Sequence, residues 1–292
     1  MSNLFDPDLL AALQTLRVEA RRVPPLGRHG EHHAREAGTG IEFRDYRSYT
    51  PGDDPRRVDW NVYRRSHRLF IRLLDEVRDL PCHLLVDMSD SLWFGDHECA
   101  DAARRASAIL AAICLNQLDR VSVHPLGVRR SASLEKIEGK TALPRVLRFL
   151  EEMKPLGATD LRSSLDAFAR RPRRSGLAVL ISDFYDPAGL GAVEQALRAL
   201  RHRRVLVRIV RPQDRSPDIS GEVRLRDCES AVRLDVAVTE RVRARYEEKY
   251  AAFEAELLDM AARLRCPLIE IDISQPVLPQ FVALFPAGVF RP

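Results

Sequence analysis

The feature that most constrains this chain is a set of short apolar runs, spaced so that a helix fits between each pair. CHLLVDM (82–88), VSVHPLG (121–127), LAVLISD (177–183), RVLVRIV (204–210) and PLIEIDI (267–273) each read as a strand. CHLLVDM, a short apolar run ending in an acid, reads as a buried parallel strand. Between them, apolar residues recur at helical spacing over about 97–118 (Ala102, Ala106, Ile109, Ile113, Leu118), 143–153, 161–170, 190–201 and 239–265, where Thr239 is placed to cap. SASLEKIEG (131–139) reads as an edge strand, GEVRLRDCESAVRLDV (221–236) as a β-hairpin, and 278–284 as a short closing helix. Strands alternating with helices over short connections predict an α/β domain with a mainly parallel sheet flanked by helices.

That pattern occupies residues 80–292. Residues 1–79 differ in texture, being rich in Arg, Asp, Pro and Gly, and read as an N-terminal extension. The extension opens with an amphipathic helix from Asp8 to about Arg22, carrying Leu9, Leu13, Leu16 and Ala20 on one face, and Pro24 and Pro25 end it. The polar, Gly-bearing segment 27–40 reads as a mobile loop. Five scattered cysteines, an odd number with no CxxC, argue against a disulfide framework or a zinc site, and Cys82 and Cys114 sit in apolar runs as core residues would. No apolar stretch approaches the roughly 20 residues that span a bilayer, so membrane insertion is not expected. The start, MSNLFDPDLL, has no export pattern, and a cytoplasmic location is expected.

Chemistry concentrates at the strand ends. Asp87, Ser89 and Ser91 follow the run CHLLVDM in a D-x-S-x-S loop, whose two-residue spacing lets a carboxylate and two hydroxyls converge. Gly157-Ala158-Thr159-Asp160 offers a hydroxyl from a second loop, and Asp183 an acid after LAVLISD. In open parallel sheets, ligands gather beyond the carboxyl ends of the strands. Oxygen donors, two of them charged, suit a hard cation such as Mg²⁺, with Mn²⁺ or Ca²⁺ as alternatives. D-x-S-x-S alone is a weak signal, since Asp and Ser also stabilise turns. The three elements in this order resemble the metal-ion-dependent adhesion site of the von Willebrand factor A fold, a Rossmann-like sheet. That resemblance implies Asp87, Ser89, Ser91, Thr159 and Asp183 as the ligand set. A cation held largely by hydroxyls keeps charge for a partner's carboxylate.

The most distinctive run lies in the extension, between Gly40 and Trp60. Thr50-Pro51-Gly52-Asp53 is a turn signal, and interleaved acids and arginines suit an ion-paired network in which Phe43 and Trp60 serve as anchors. The run resembles the signature of a bacterial and archaeal family known as domain of unknown function number fifty-eight, through Glu42, Phe43, Arg47, Tyr49, Pro51, Gly52, Asp53, Asp54, Arg56, Asp59 and Trp60. The family resemblance implies partnership with a MoxR-type AAA+ ATPase in assembly or chaperone-like maturation of other proteins. Glu42, Arg47, Tyr49, Asp53, Asp54, Arg56, Asp59 and Trp60 would then either contact that partner or brace the fold.

The expected function is therefore a non-enzymatic, metal-dependent interaction module. No G-x-x-x-x-G-K-[ST] element is present, so nucleotide hydrolysis is not expected. A metal-dependent hydrolase is the alternative, but no His, Cys or Lys accompanies Asp87 and Asp183, and His29, His32 and His33 fall in the 27–40 loop. Residues 165–215 carry eleven Arg against five acids, including RRPRRS (170–175) and RHRR (201–204). That excess reads as solvated helix ends, and nucleic acid, the third class, is not expected as a partner.

Overall fold

The computed structural model describes residues 4–20, 41–50, 53–54, 58–76, 81–117, 119–129, 131–158, 160–230 and 232–284. The chain begins with α1 (Pro7–Ala20), β1 (Ile41–Ser48), α2 (Trp60–Ser66) and β2 (Phe70–Glu76). It continues through β3 (Pro81–Asp87), α3 (Glu98–Asn116), β4 (Arg120–Leu126), β5 (Leu134–Ile137), α4 (Leu143–Glu151), α5 (Leu161–Arg170) and β6 (Leu177–Ser182). It closes with α6 (Leu190–Ala199), β7 (Arg203–Val210), β8 (Gly221–Arg226), β9 (Arg233–Val238), α7 (Glu240–Leu264), β10 (Leu268–Asp272) and α8 (Val277–Leu284). These elements form two compact units, Gly27–Asp79 and Met1–Leu26 with Leu80–Pro292.

The larger unit is organised by a six-stranded sheet of order β10-β7-β6-β3-β4-β5. Its first five members run parallel and β5 closes the edge antiparallel to β4, as the sequence leads one to expect. Side chains alternate across a strand, so β3 gives Cys82, Leu84 and Val86 to one core and Leu85 to the other. The first core includes Leu9 and Leu13 of α1, Ile109 and Ile113 of α3, Val146 and Leu150 of α4, and Phe281 of α8. The second takes Leu165 and Phe168 of α5, Val193 and Leu197 of α6, and Leu257 and Leu264 of α7. α3 is buried along nearly its whole length, and its many alanines let its backbone lie close to the neighbours that surround it. Between α5 and β6 only glycine is tolerated at position 176, where an added Cβ would stand 2.0 Å from the Pro81 carbonyl oxygen.

α1 packs with this unit: Leu4, Phe5, Leu9 and Leu13 enter its first core, and Arg105 Nε donates to the Leu4 carbonyl at 2.9 Å. The helix therefore belongs with residues from 80 onward, although its sequence sits with the extension. Among the described residues, no helix is long and apolar enough to cross a membrane.

The smaller unit holds structure where the sequence suggested only turns and ion pairs. β1 and β2 pair antiparallel over seven positions, with an irregularity between Phe43 and Asp45. Their charges break any apolar period, which is why neither was legible as a strand. The polar segment 27–40, with His29, His32 and His33, lies outside the described residues.

Candidate metal centre

β3 delivers Asp87 to the carboxyl end of the sheet, beside the end of β6. There the side chain is 1% exposed and heavily bonded. Its Oδ1 accepts from the Ser89 amide at 3.0 Å, which turns the chain out of the strand. Its Oδ2 accepts from Ser182 Oγ at 2.6 Å. Ser89 Oγ and Ser91 Oγ lie 2.9 Å apart, so both hydroxyls converge next to Asp87 as their spacing predicts. Asp183, one residue past β6, is 8% exposed, and its Oδ1 accepts from the Tyr185 amide at 3.1 Å.

The second loop is brought alongside by its backbone. The Leu156 amide donates to the Met88 carbonyl at 2.7 Å, and the Asp90 amide to the Gly157 carbonyl at 2.8 Å. Gly157 takes a left-handed φ of +91°, which glycine adopts without strain. Thr159 itself lies outside the described residues. The two acids nearest the expected ligands in sequence have other work. Asp160 caps α5 by accepting from the Ser163 amide at 2.9 Å, and Asp186 accepts from the Leu161 and Ala188 amides at 2.8 and 2.7 Å.

Both carboxyls are shifted upward from their ordinary range. Burial raises the Asp87 carboxyl above its ordinary range, although hydrogen bonds from Ser182 and Ser89 pull the other way. Asp183 is pushed up to about 8, first by burial and then by the negative charge of Asp87, with Glu229 and Asp214 adding to the repulsion. Neither Asp87 nor Asp183 forms a salt bridge among the described residues. Each carboxylate oxygen has lone pairs beyond the bonds it accepts, so Asp87, Asp183, Ser89 and Ser91 fit the oxygen donor set of a hard divalent ion. Next to Ser91 a cavity of 450 Å³ is walled by Tyr185, Phe253, Glu256 and the β8–β9 turn at Asp227–Glu229. Phe94 in the Ser91 loop is also exposed.

One contributor was missed from the sequence. Ser182 donates to Asp87 and accepts from the Phe184 amide at 2.9 Å, tying the two carboxylate-bearing strand ends together. Phe184 holds a positive φ of 67°, a costly conformation for a bulky residue, while its ring stays buried. The only sequence signal for Ser182 was its position immediately before Asp183.

The signature residues act within the smaller unit. Asp53 accepts from the Thr50 amide and hydroxyl, each at 2.8 Å, and from Arg47 at 2.7 Å, completing the expected turn. These bonds hold its carboxyl down at about 2. Asp59 is buried and caps α2, accepting from the Asn61 and Val62 amides at 2.9 and 3.2 Å. The Tyr49 amide donates to the Leu69 carbonyl, and Glu42 stands opposite Asp75 in the β1–β2 ladder. Asp54 is exposed. Trp60 is 57% exposed and meets the Tyr63 ring edge-on. Pro51, Gly52 and Arg56 lie outside the described residues.

A family model described as "Protein of unknown function DUF58" matches residues 45–256. Uncharacterized proteins of Mycobacterium tuberculosis and Mycobacterium bovis are 32% identical to the chain over 289 residues, covering 96% of it and 90% of their own length. Among solved structures, the chain is similar to the conserved hypothetical protein BatB from Bacteroides thetaiotaomicron, with a TM-score of 0.45 and 12% identity over 72% of this chain and 98% of that one. It is also similar to an aerotolerance-related membrane protein from Bacteroides fragilis, with a TM-score of 0.41 and 13% identity over 70% and 96% of the two chains.

Proposed function

This chain belongs to the DUF58 family, and from that premise we propose that it is a non-enzymatic, metal-dependent protein-interaction module. In this reading the larger unit is a von Willebrand factor A-type domain, and its partner is a cytoplasmic MoxR-type AAA+ ATPase engaged in assembly or chaperone-like maturation of other proteins. The observation that carries the reading is the convergence of Asp87 and Asp183, both buried, with the Ser89 and Ser91 hydroxyls at the ends of neighbouring parallel strands. Asp87, Ser89, Ser91 and Asp183, with Thr159 from the adjoining loop, would hold Mg²⁺. The ion would supply a positive charge that a partner's carboxylate can meet. Ser182 and the Ser89 amide orient Asp87, while the Tyr185 amide orients Asp183. The hydrogen bonds that hold the two acids come from a hydroxyl and backbone amides, which suits the positioning of an ion.

A pull-down from the native host tests both halves of the reading. Wild-type protein in Mg²⁺ should retain an AAA+ ATPase, and should lose it on addition of EDTA or on Asp87→Ala substitution. Equal retention by the variant, with and without EDTA, would refute metal dependence. Consistent absence of an ATPase from the retained proteins would remove the proposed partner.

A further inference from the structure

At the other end of the sheet, where β3 and β4 begin, a cavity of 380 Å³ opens among basic residues. Arg120, Lys136, Arg171, Arg173 and Arg174 line it, with His83 on its wall. Two acids offset this charge. Glu138 holds Arg120 at 2.5 Å, and Glu135 holds Arg173 at 3.0 Å. Lys136, Arg171 and Arg174 form no salt bridge among the described residues, which leaves three cations unneutralised around one concavity. A neighbouring cavity of 550 Å³ shares Arg171 and Arg173.

The surroundings are constructed. Arg173 is fixed by the Phe168 carbonyl at 3.2 Å and by stacking 4.6 Å over the Phe168 ring. Lys136 sits at a break in the β4–β5 register with a φ of +57°, its amide bonded to Ser122 Oγ at 3.0 Å. Such bulges redirect side chains and are enriched beside functional sites. His83 backs the cavity: it is 6% exposed, and its Nδ1 meets His124 Nε2 at 3.2 Å.

We propose that this cavity binds a small phosphorylated anion, gripped by Lys136, Arg171 and Arg174. Arginine forks match phosphate oxygens in pairs, and a lysine adds a point charge. The volume is that of a small-molecule site, and its concave shape favours a compact ligand over an extended polymer. The cavity lies away from Asp87 and Asp183, so the test needs no metal.

Inorganic pyrophosphate is the probe, titrated calorimetrically into the full chain in EDTA at low salt, with inorganic phosphate and a single-stranded oligonucleotide as parallel arms. Pyrophosphate should bind at one site, weaken as salt rises, and weaken at least tenfold in the Arg171→Ala/Arg174→Ala variant. Both replaced side chains are exposed, and an unchanged melting temperature without ligand will verify the fold. Arg224→Ala, which alters a distant surface ion pair, should bind as wild type does. Three results would overturn the proposal: no pyrophosphate binding, equal binding by the double variant, or binding of the oligonucleotide alone.

Discussion

His83 and His124 bear on how the larger unit responds to acid. Burial, reinforced by the charges of His202 and Arg173, holds His83 at about 4, and burial with Arg173 and His83 holds His124 at about 3. The unfolded chain takes up these protons near 6.5, so between about 6.5 and 4 it binds more protons than the folded protein. Their contribution is complete above that window and is lost as pH falls through it. Urea unfolding measured from pH 7 to 4 should show the wild type losing stability relative to His124→Gln as pH falls, the raised carboxyls of Asp87 and Asp183 acting in the opposite sense in both proteins; parallel curves would contradict this. Arg208 makes a second case. It is 1% exposed in β7 and bonds Glu254, Glu270 and the Tyr250 hydroxyl at 3.1, 2.8 and 3.0 Å. Arg208→Met should cost about 3 kcal/mol by chemical denaturation, the low end for a broken buried pair, because both glutamates keep some access to water. A loss under about 1 kcal/mol would mean that the network contributes little.

Elements differ in how plainly the sequence announces them. The buried strands were legible because β3 and β6 have few polar residues to interrupt them, and α7 because Thr239 caps it, accepting from the Val242 amide at 3.3 Å. β1 and β2 were not, since IEFRDYRS and FIRLLDE carry their charges inside the strand. What the signature run encodes becomes clear only in three dimensions: Asp53 closes a turn and Asp59 caps the helix between the strands. Asp59→Ala should destabilise the Gly27–Asp79 unit by about 1 kcal/mol, the usual value of an N-cap, read as earlier hydrogen exchange at Asn61 and Val62. Unchanged exchange there would exclude a capping role. At the junction into β6, Gly176→Ala forces a Cβ onto the Pro81 carbonyl, and the melting temperature should fall. An unaltered melt would show that the backbone yields there at no cost.

For the whole molecule, strand order explains why D-x-S-x-S and a distant Asp could be joined from sequence. β3 and β6 are neighbours in one parallel sheet, so Asp87 and Asp183 leave it side by side. Ser182 was overlooked because its role, holding Asp87 from the adjacent strand, exists only once β6 lies beside β3. The basic cavity escaped for a similar reason: Arg171 and Arg174 read as a solvated run until β5 placed Lys136 across from them. Among the described residues Asp87 and Asp183 form no salt bridge, and in the proposed reading a cation offsets the cost of burying them; thermal melting of metal-free protein against added Mg²⁺ measures that directly. The wild-type melting temperature should climb with Mg²⁺, reaching about 2.7 kcal/mol of added stability at a hundredfold excess over the dissociation constant. Asp183→Asn, with one charge removed, should melt above the wild type without metal and gain nothing from Mg²⁺. A wild-type melt indifferent to Mg²⁺, Mn²⁺ and Ca²⁺ alike would contradict a metal centre at Asp87 and Asp183.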